Sequence, residues 1–157
     1  KKVMQRTEEL FMAQMSFKAS TKALNGLTIE CSARNFNIIL DEPESLGGAD
    51  KGMNPVECLL IALGGCKCIV AKAFAGKNRI NLQDIRIDLD GVLDPDGFLG
   101  KNKNAKIGFS KITTHYHIKA DNTKEEIEKF VDFIEKTCPV RDTLENTPEF
   151  ATEIHSG

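Results

Sequence analysis

A chain of 157 residues with a formal charge of −2 has room for one domain with a sizeable core, and it carries no basic footprint for nucleic acid or an anionic membrane surface. No apolar run reaches the roughly 18 residues of a bilayer span, and no charged-then-apolar leader ending in small residues is visible, so no membrane partner is expected. The five cysteines, at positions 31, 58, 66, 68 and 138, are odd in number and scattered. That argues against a secreted disulfide framework and points to a cytoplasmic protein in which any disulfide is transient.

Residues 1–9 (KKVMQRTEE) read as an N-terminal arm, leaving 10–157 as a single domain. Loose alternation predicts a first strand over 11–19 and a turn at 24–26, and β-branched content predicts strands over 27–33 and 36–40. From 41 to 53 the chain is polar and Gly-rich, which marks a loop. Asn54 is a suitable N-cap, Pro55 suits the first helical position and Glu57 falls at N3. The helix that follows is apolar almost all round until Lys72, so it is expected to be buried in the protein, with Gly76 as its stop.

Ile85, Ile87 and Leu89 alternate with Asp84, Arg86, Asp88 and Asp90, as in a one-sided antiparallel strand. The excursion over 92–107 is turn-rich. Ile112, Thr114, Tyr116 and Ile118 then line one face of a further strand. Thr123 and Glu126 have capping-box spacing ahead of a helix whose stripe is Ile127, Phe130, Val131 and Ile134. Cys138-Pro139 interrupts that helix, a short second helix follows over 140–147, and 150–154 is expected to close as a last strand. The order describes an α+β fold with mixed or antiparallel sheets.

Two cysteines stand in informative settings. Cys66 lies mid-helix after Gly64 and Gly65, each of which costs roughly 1 kcal/mol against alanine, and close approach of a backbone or substrate would explain them. The same position also suits a small core hydrophobe. Cys138 precedes Pro139 and can cap the short helix, where exposed N–H groups and Arg141 favour thiolate. It equally extends the apolar stripe of the preceding helix. Cys66 and Cys68 point about 200° apart on a helix, which is poor for sharing a metal. His115 and His117 share a strand face with Thr113 and Lys119, which reads as solvated, and Cys31 and Cys58 read as structural.

Two separated segments resemble the OsmC/Ohr family of hydroperoxide-reducing proteins. Residues 41–66, DEPESLGGADKGMNPVECLLIALGGC, are similar to the family's Asn-Pro-x-Glu helix start and mid-helix cysteine. Residues 130–144, FVDFIEKTCPVRDTL, are similar to its Cys-Pro element. The resemblance implies a two-layer α+β fold, its sheets set around long buried central helices, in an intertwined homodimer. It implies that Cys66 is the peroxidatic thiolate and attacks an organic hydroperoxide, and that Cys138 resolves the sulfenic acid to a disulfide. A dithiol reductant, dihydrolipoyl or similar, would reopen that bond, and no metal or cofactor is required.

The best-known members hold the thiolate with a glutamate and an arginine. Their glutamate falls where this chain has Val56, so Glu57, one residue later, is the expected counterpart; it also suits a purely capping role at N3. The first hairpin carries Lys18 and Lys22 but no arginine; Arg34 is the expected arginine and Arg141 the alternative. These departures keep a second function open, a small-ligand-binding or redox-sensing protein of the same fold with little peroxidase activity.

Overall fold

The computed structural model describes residues 14–157, so the expected arm over 1–9 lies outside the described residues. The chain divides into two compact units, the first ending at Pro55 and the second running Val56–Gly157.

The first unit is an antiparallel meander of β1 (Ser20–Ala23), β2 (Ile29–Ala33) and β3 (Phe36–Leu40), in that order. The expected strand over 11–19 is corrected: 14–19 are irregular, 11–13 lie outside the described residues, and the strand begins at Ser20. Pairing explains the shift. Ser20 lies opposite Ser32, and β2 ends one residue later at Ala33, because Arg34 turns through the left-handed region at φ 54°. Residues before Ser20 therefore find almost no β2 backbone to pair with.

Past β3 the polar loop closes on a buried carboxylate. Asp41, 1% exposed, accepts hydrogen bonds from the Thr28 hydroxyl (2.9 Å) and from the backbone N–H groups of Glu42 (2.8 Å), Ala49 (3.3 Å) and Lys51 (3.3 Å). Burial pushes this carboxyl up, but those donors outweigh it and hold the group below its usual range. The loop can fold this tightly because a Cβ on Gly48 would come within 1.9 Å of the Glu42 carbonyl oxygen.

The second unit begins with α1 (Pro55–Phe74), as the Asn-Pro signal predicts. It ends two residues before Gly76, and the left-handed residue of the following turn is Arg79, at φ 57°. β4 (Leu82–Leu93) and β5 (Phe109–Ala120) form a long antiparallel hairpin, joined through the four-residue α2 (Pro95–Phe98). α3 (Lys124–Thr137) has the full capping box at Thr123 and Glu126, and α4 (Pro139–Glu145) follows at once. Residues 150–154 are irregular, with Phe150 and Ile154 83% and 87% exposed, so the expected last strand is absent. An isolated five-residue segment gains ladder hydrogen bonds only beside an open strand edge, and none pairs with it among the described residues.

The core of this unit joins Val70, Ala71 and Ala75 to Ile80, Phe130 and Ile134, with Ile85 and Tyr116 of the hairpin packed against it. Helices on one face of antiparallel strands give the expected α+β architecture. A Cβ on Gly64 would come within 2.5 Å of Leu89 Cδ1, so this glycine lets α1 lie close against the hairpin; Gly65 has open space beside it. α1 is covered on one face only in the single chain. Leu63, Lys67, Val70 and Ala71 are buried, but Ile61 and Ile69 remain 56% and 69% exposed. Among the described residues no helix is long and apolar enough to cross a membrane.

Because Ile134 is fully buried in the core, Ile134→Ala should destabilise the second unit by about 2–5 kcal/mol. Removing the exposed cap with Thr123→Ala should cost only about 1 kcal/mol. Denaturant unfolding of both variants checks the ranking, and equal losses would count against this core.

Candidate active site

α3 and α1 deliver one cysteine each to the same place. Cys138 ends the α3 stripe, is 1% exposed, and also caps α4, its sulfur accepting the Arg141 backbone N–H at 3.4 Å. Both sequence readings of Cys138 therefore hold at once. Cys66 is half-buried, packs against the core, and lies close enough to Cys138 to influence its ionisation. Burial pushes the Cys138 thiol above its ordinary value. The N–H groups of Arg141 and Val140 pull it down, whereas the neighbouring Cys66 pushes it up. The cap expected to favour thiolate is present, but burial wins.

Around the thiols lies a network that includes Arg141, the alternative arginine of the sequence reading, and three residues that the reading did not assign to a site, Lys67, Tyr116 and Glu135. Lys67, 2% exposed, reaches the Glu135 carboxylate at 2.9 Å and the Thr114 hydroxyl at 2.8 Å. Tyr116 donates its hydroxyl proton to Glu135, and Arg141 Nη1 donates to the second oxygen of the same carboxylate. Arg141 also grips Glu145 through Nε (2.9 Å) and Nη2 (2.8 Å). Burial, then the like charge of Arg141, lower the Lys67 ammonium, and the thiols and Glu145 act against them. Tyr116 is pushed well above the usual phenol range, first by burial and then by Cys138, so it serves as a donor. A lysine inside an apolar helix was the available signal, since such a charge needs a buried partner.

Beside this network runs a groove of about 550 Å³, lined by Leu63, Lys67, Ile112, Val131, Glu135 and Leu144, among others. Arg34 belongs to the first unit, at the β2–β3 turn, with its guanidinium 4.9 Å from the Phe36 ring centroid. Glu57 stands in the first turn of α1, nine residues before Cys66, about 13 Å along a helix axis. Of the four expected site residues, the structure brings Cys66 and Cys138 together. His115 and His117 pair with Asp90 (2.6 Å) and Asp88 (3.0 Å) on an exposed face, as solvated residues do. No group of three or more metal-ligating side chains gathers among the described residues.

Two neighbouring cysteines, carried by helices packed on an antiparallel hairpin, stand in a protein of α+β class. The family model for OsmC-like protein matches residues 48–153, and the chain belongs to that family. It is 31% identical over 128 residues to a hydroperoxide reductase of Mycoplasma genitalium, an alignment covering 81% of this chain and 85% of the relative. An OsmC-like protein from Mycoplasma pneumoniae has the same fold, with TM-score 0.76 and 23% identity over 85% of this chain and 90% of that one. An organic hydroperoxide resistance protein from Legionella pneumophila aligns with TM-score 0.67 and 19% identity over 85% and 92%.

A thiol whose pKa is raised by folding contributes stability that is complete below its unfolded pKa and lost as pH climbs through the folded one. Wild type should therefore lose stability relative to Cys138→Ser as pH rises above about 8.5, the ordinary thiol value. Thermal melting across that window checks the sign, and parallel curves would contradict it.

Proposed function

We propose that the chain is a thiol-dependent reductase of organic hydroperoxides. The observation that carries this reading is the proximity of the two cysteines, Cys66 partly exposed and Cys138 buried. The Cys66 thiolate attacks the peroxide oxygen distal to the organic group. The O–O bond breaks, the alkoxide takes a proton and leaves as alcohol, and Cys66 becomes a sulfenic acid. Cys138 then attacks that sulfur, and the S–S bond forms as the S–O bond breaks and water departs. A dithiol such as a dihydrolipoyl group returns two electrons, leaving as its own disulfide.

Arg34 and Glu57 are the pair assigned to orienting the peroxide, with Arg141 as the alternative cation. The apolar lining of the groove, from Leu63, Ile112, Val131 and Leu144, suits the organic part of the substrate. The exposed Ile61 and Ile69 of α1 suit the subunit contact of a homodimer.

A binding or redox-sensing role is the second reading, favoured by a Cys138 thiol that burial holds up and by an Arg141 already engaged with two carboxylates. It predicts slow, non-saturating loss of peroxide. The enzyme reading instead predicts that reduced protein treated with cumene hydroperoxide yields a Cys66–Cys138 disulfide by mass spectrometry. It also predicts that Cys66→Ser lowers turnover by more than about a hundredfold. Absence of that disulfide, or undiminished turnover by Cys66→Ser, would falsify it.

A further inference from the structure

The charged side chains around the cysteine pair balance one another. Lys67 and Arg141 face Glu135 and Glu145, two cations against two carboxylates, so any thiolate formed there adds an excess negative charge. Arg141 is turned toward the carboxylates: one guanidinium nitrogen is on Glu135, and the other two are on Glu145. Lys67 differs. It follows Cys66 directly on α1, its ammonium is 2% exposed, and Glu135 and Thr114 take two of its three donors. Glu135 stands one turn before Cys138, so that ion pair bridges the two cysteine-bearing helices. The Tyr116 ring lies 6.0 Å from Lys67 Nζ and its hydroxyl holds Glu135, while Lys111 of β5 also lines the groove.

We propose that Lys67 is the positioning cation of the cysteine pair, fixed by Glu135 and Thr114 so that its ammonium stabilises a thiolate on Cys138 and, secondarily, on Cys66. The proposal deepens the thiol-reductase reading and takes its functional consequence from it. In that cycle Lys67 favours the Cys138 thiolate that attacks the Cys66 sulfenic acid; S–S forms, S–O breaks, and hydroxide leaves with a proton as water. Both cysteines lie in the same field, consistent with the upward pull that each thiolate exerts on the Lys67 ammonium.

Iodoacetamide alkylation of the reduced full chain, followed cysteine by cysteine across pH by mass spectrometry, tests this without any peroxide. Lys67→Met should slow Cys138 alkylation about tenfold near pH 8, as a midpoint shifted up by about one pH unit requires. Glu135→Gln, which removes a carboxylate, should shift the midpoint down and speed the reaction. A packing role alone would loosen the site in both variants and accelerate both. An unshifted or lowered midpoint in Lys67→Met overturns the proposal. If Lys67→Met fails to fold, as judged by thermal melting, Lys67→Gln, which is neutral but keeps hydrogen-bonding capacity toward Glu135 and Thr114, decides: a raised Cys138 midpoint supports the assignment, and an unshifted or lowered one overturns it. A chain that does not consume hydroperoxide would sink the reductase reading while leaving the alkylation result intact, so the two failures are distinguishable.

Discussion

An ammonium inside an apolar helix has to meet a carboxylate, and much of the second unit's arrangement follows from that constraint. Lys67 sits in the most hydrophobic stretch of the chain, and leaving its charge uncompensated there would cost several kcal/mol. Glu135 supplies the counter-charge from α3 and Thr114 the hydroxyl from β5. One side chain thus joins the first helix, the hairpin and the last long helix. Breaking such a buried pair by removing one partner costs about 3–5 kcal/mol, so the layers are held in one relative arrangement more specifically than apolar packing alone would hold them.

That arrangement decides where the cysteines meet. Cys66 precedes Lys67, and Cys138 follows Glu135 by three residues, so closing the ion pair also closes the distance between sulfurs. Gly64 contributes from the other direction, leaving the room that the Leu89 side chain of the hairpin occupies against α1. Pro139 ends α3 at the residue where Cys138 can turn its sulfur to the N-terminus of α4. Each of these devices is local and unremarkable by itself. Their coincidence is what makes a dithiol site.

The parts of this fold legible in the sequence are those written in neighbouring residues. Thr123 and Glu126 announced the start of α3, Asn54-Pro55 the start of α1, and the stretch 36–40 a strand with the bounds that β3 shows. Elements whose existence depends on a distant partner were not legible. β1 begins where β2 offers backbone to pair with, and 150–154 stays irregular because no strand edge receives it. The same division holds in the site. Cys66 and Cys138 were singled out through their local settings and a resemblance spanning two motifs. Lys67, Glu135, Thr114 and Tyr116 come from three elements, and nothing in the spacing of 67, 114, 116 and 135 links them. A charged residue in a wholly apolar helix was the available cue, and it indicated that a partner exists without indicating which.

Helix-cap physics and burial make opposite claims on Cys138, and their contest bears on how two nearby thiols divide a reaction. The α4 cap offers N–H donors that favour a thiolate, but at 1% exposure the loss of solvation is larger, and the Cys66 sulfur beside it adds to the upward push. A thiol in that position is a poor first nucleophile toward a molecule arriving from solvent, because it is neither ionised nor reachable. It is well placed to react with a neighbour already oxidised: the electrophile is then held beside it, and effective concentration compensates for a small thiolate fraction. Cys66 is the more exposed of the two. In the proposed cycle the order of events therefore follows from exposure, and the buried cation at Lys67 matters most at the second step, where charge must develop away from water.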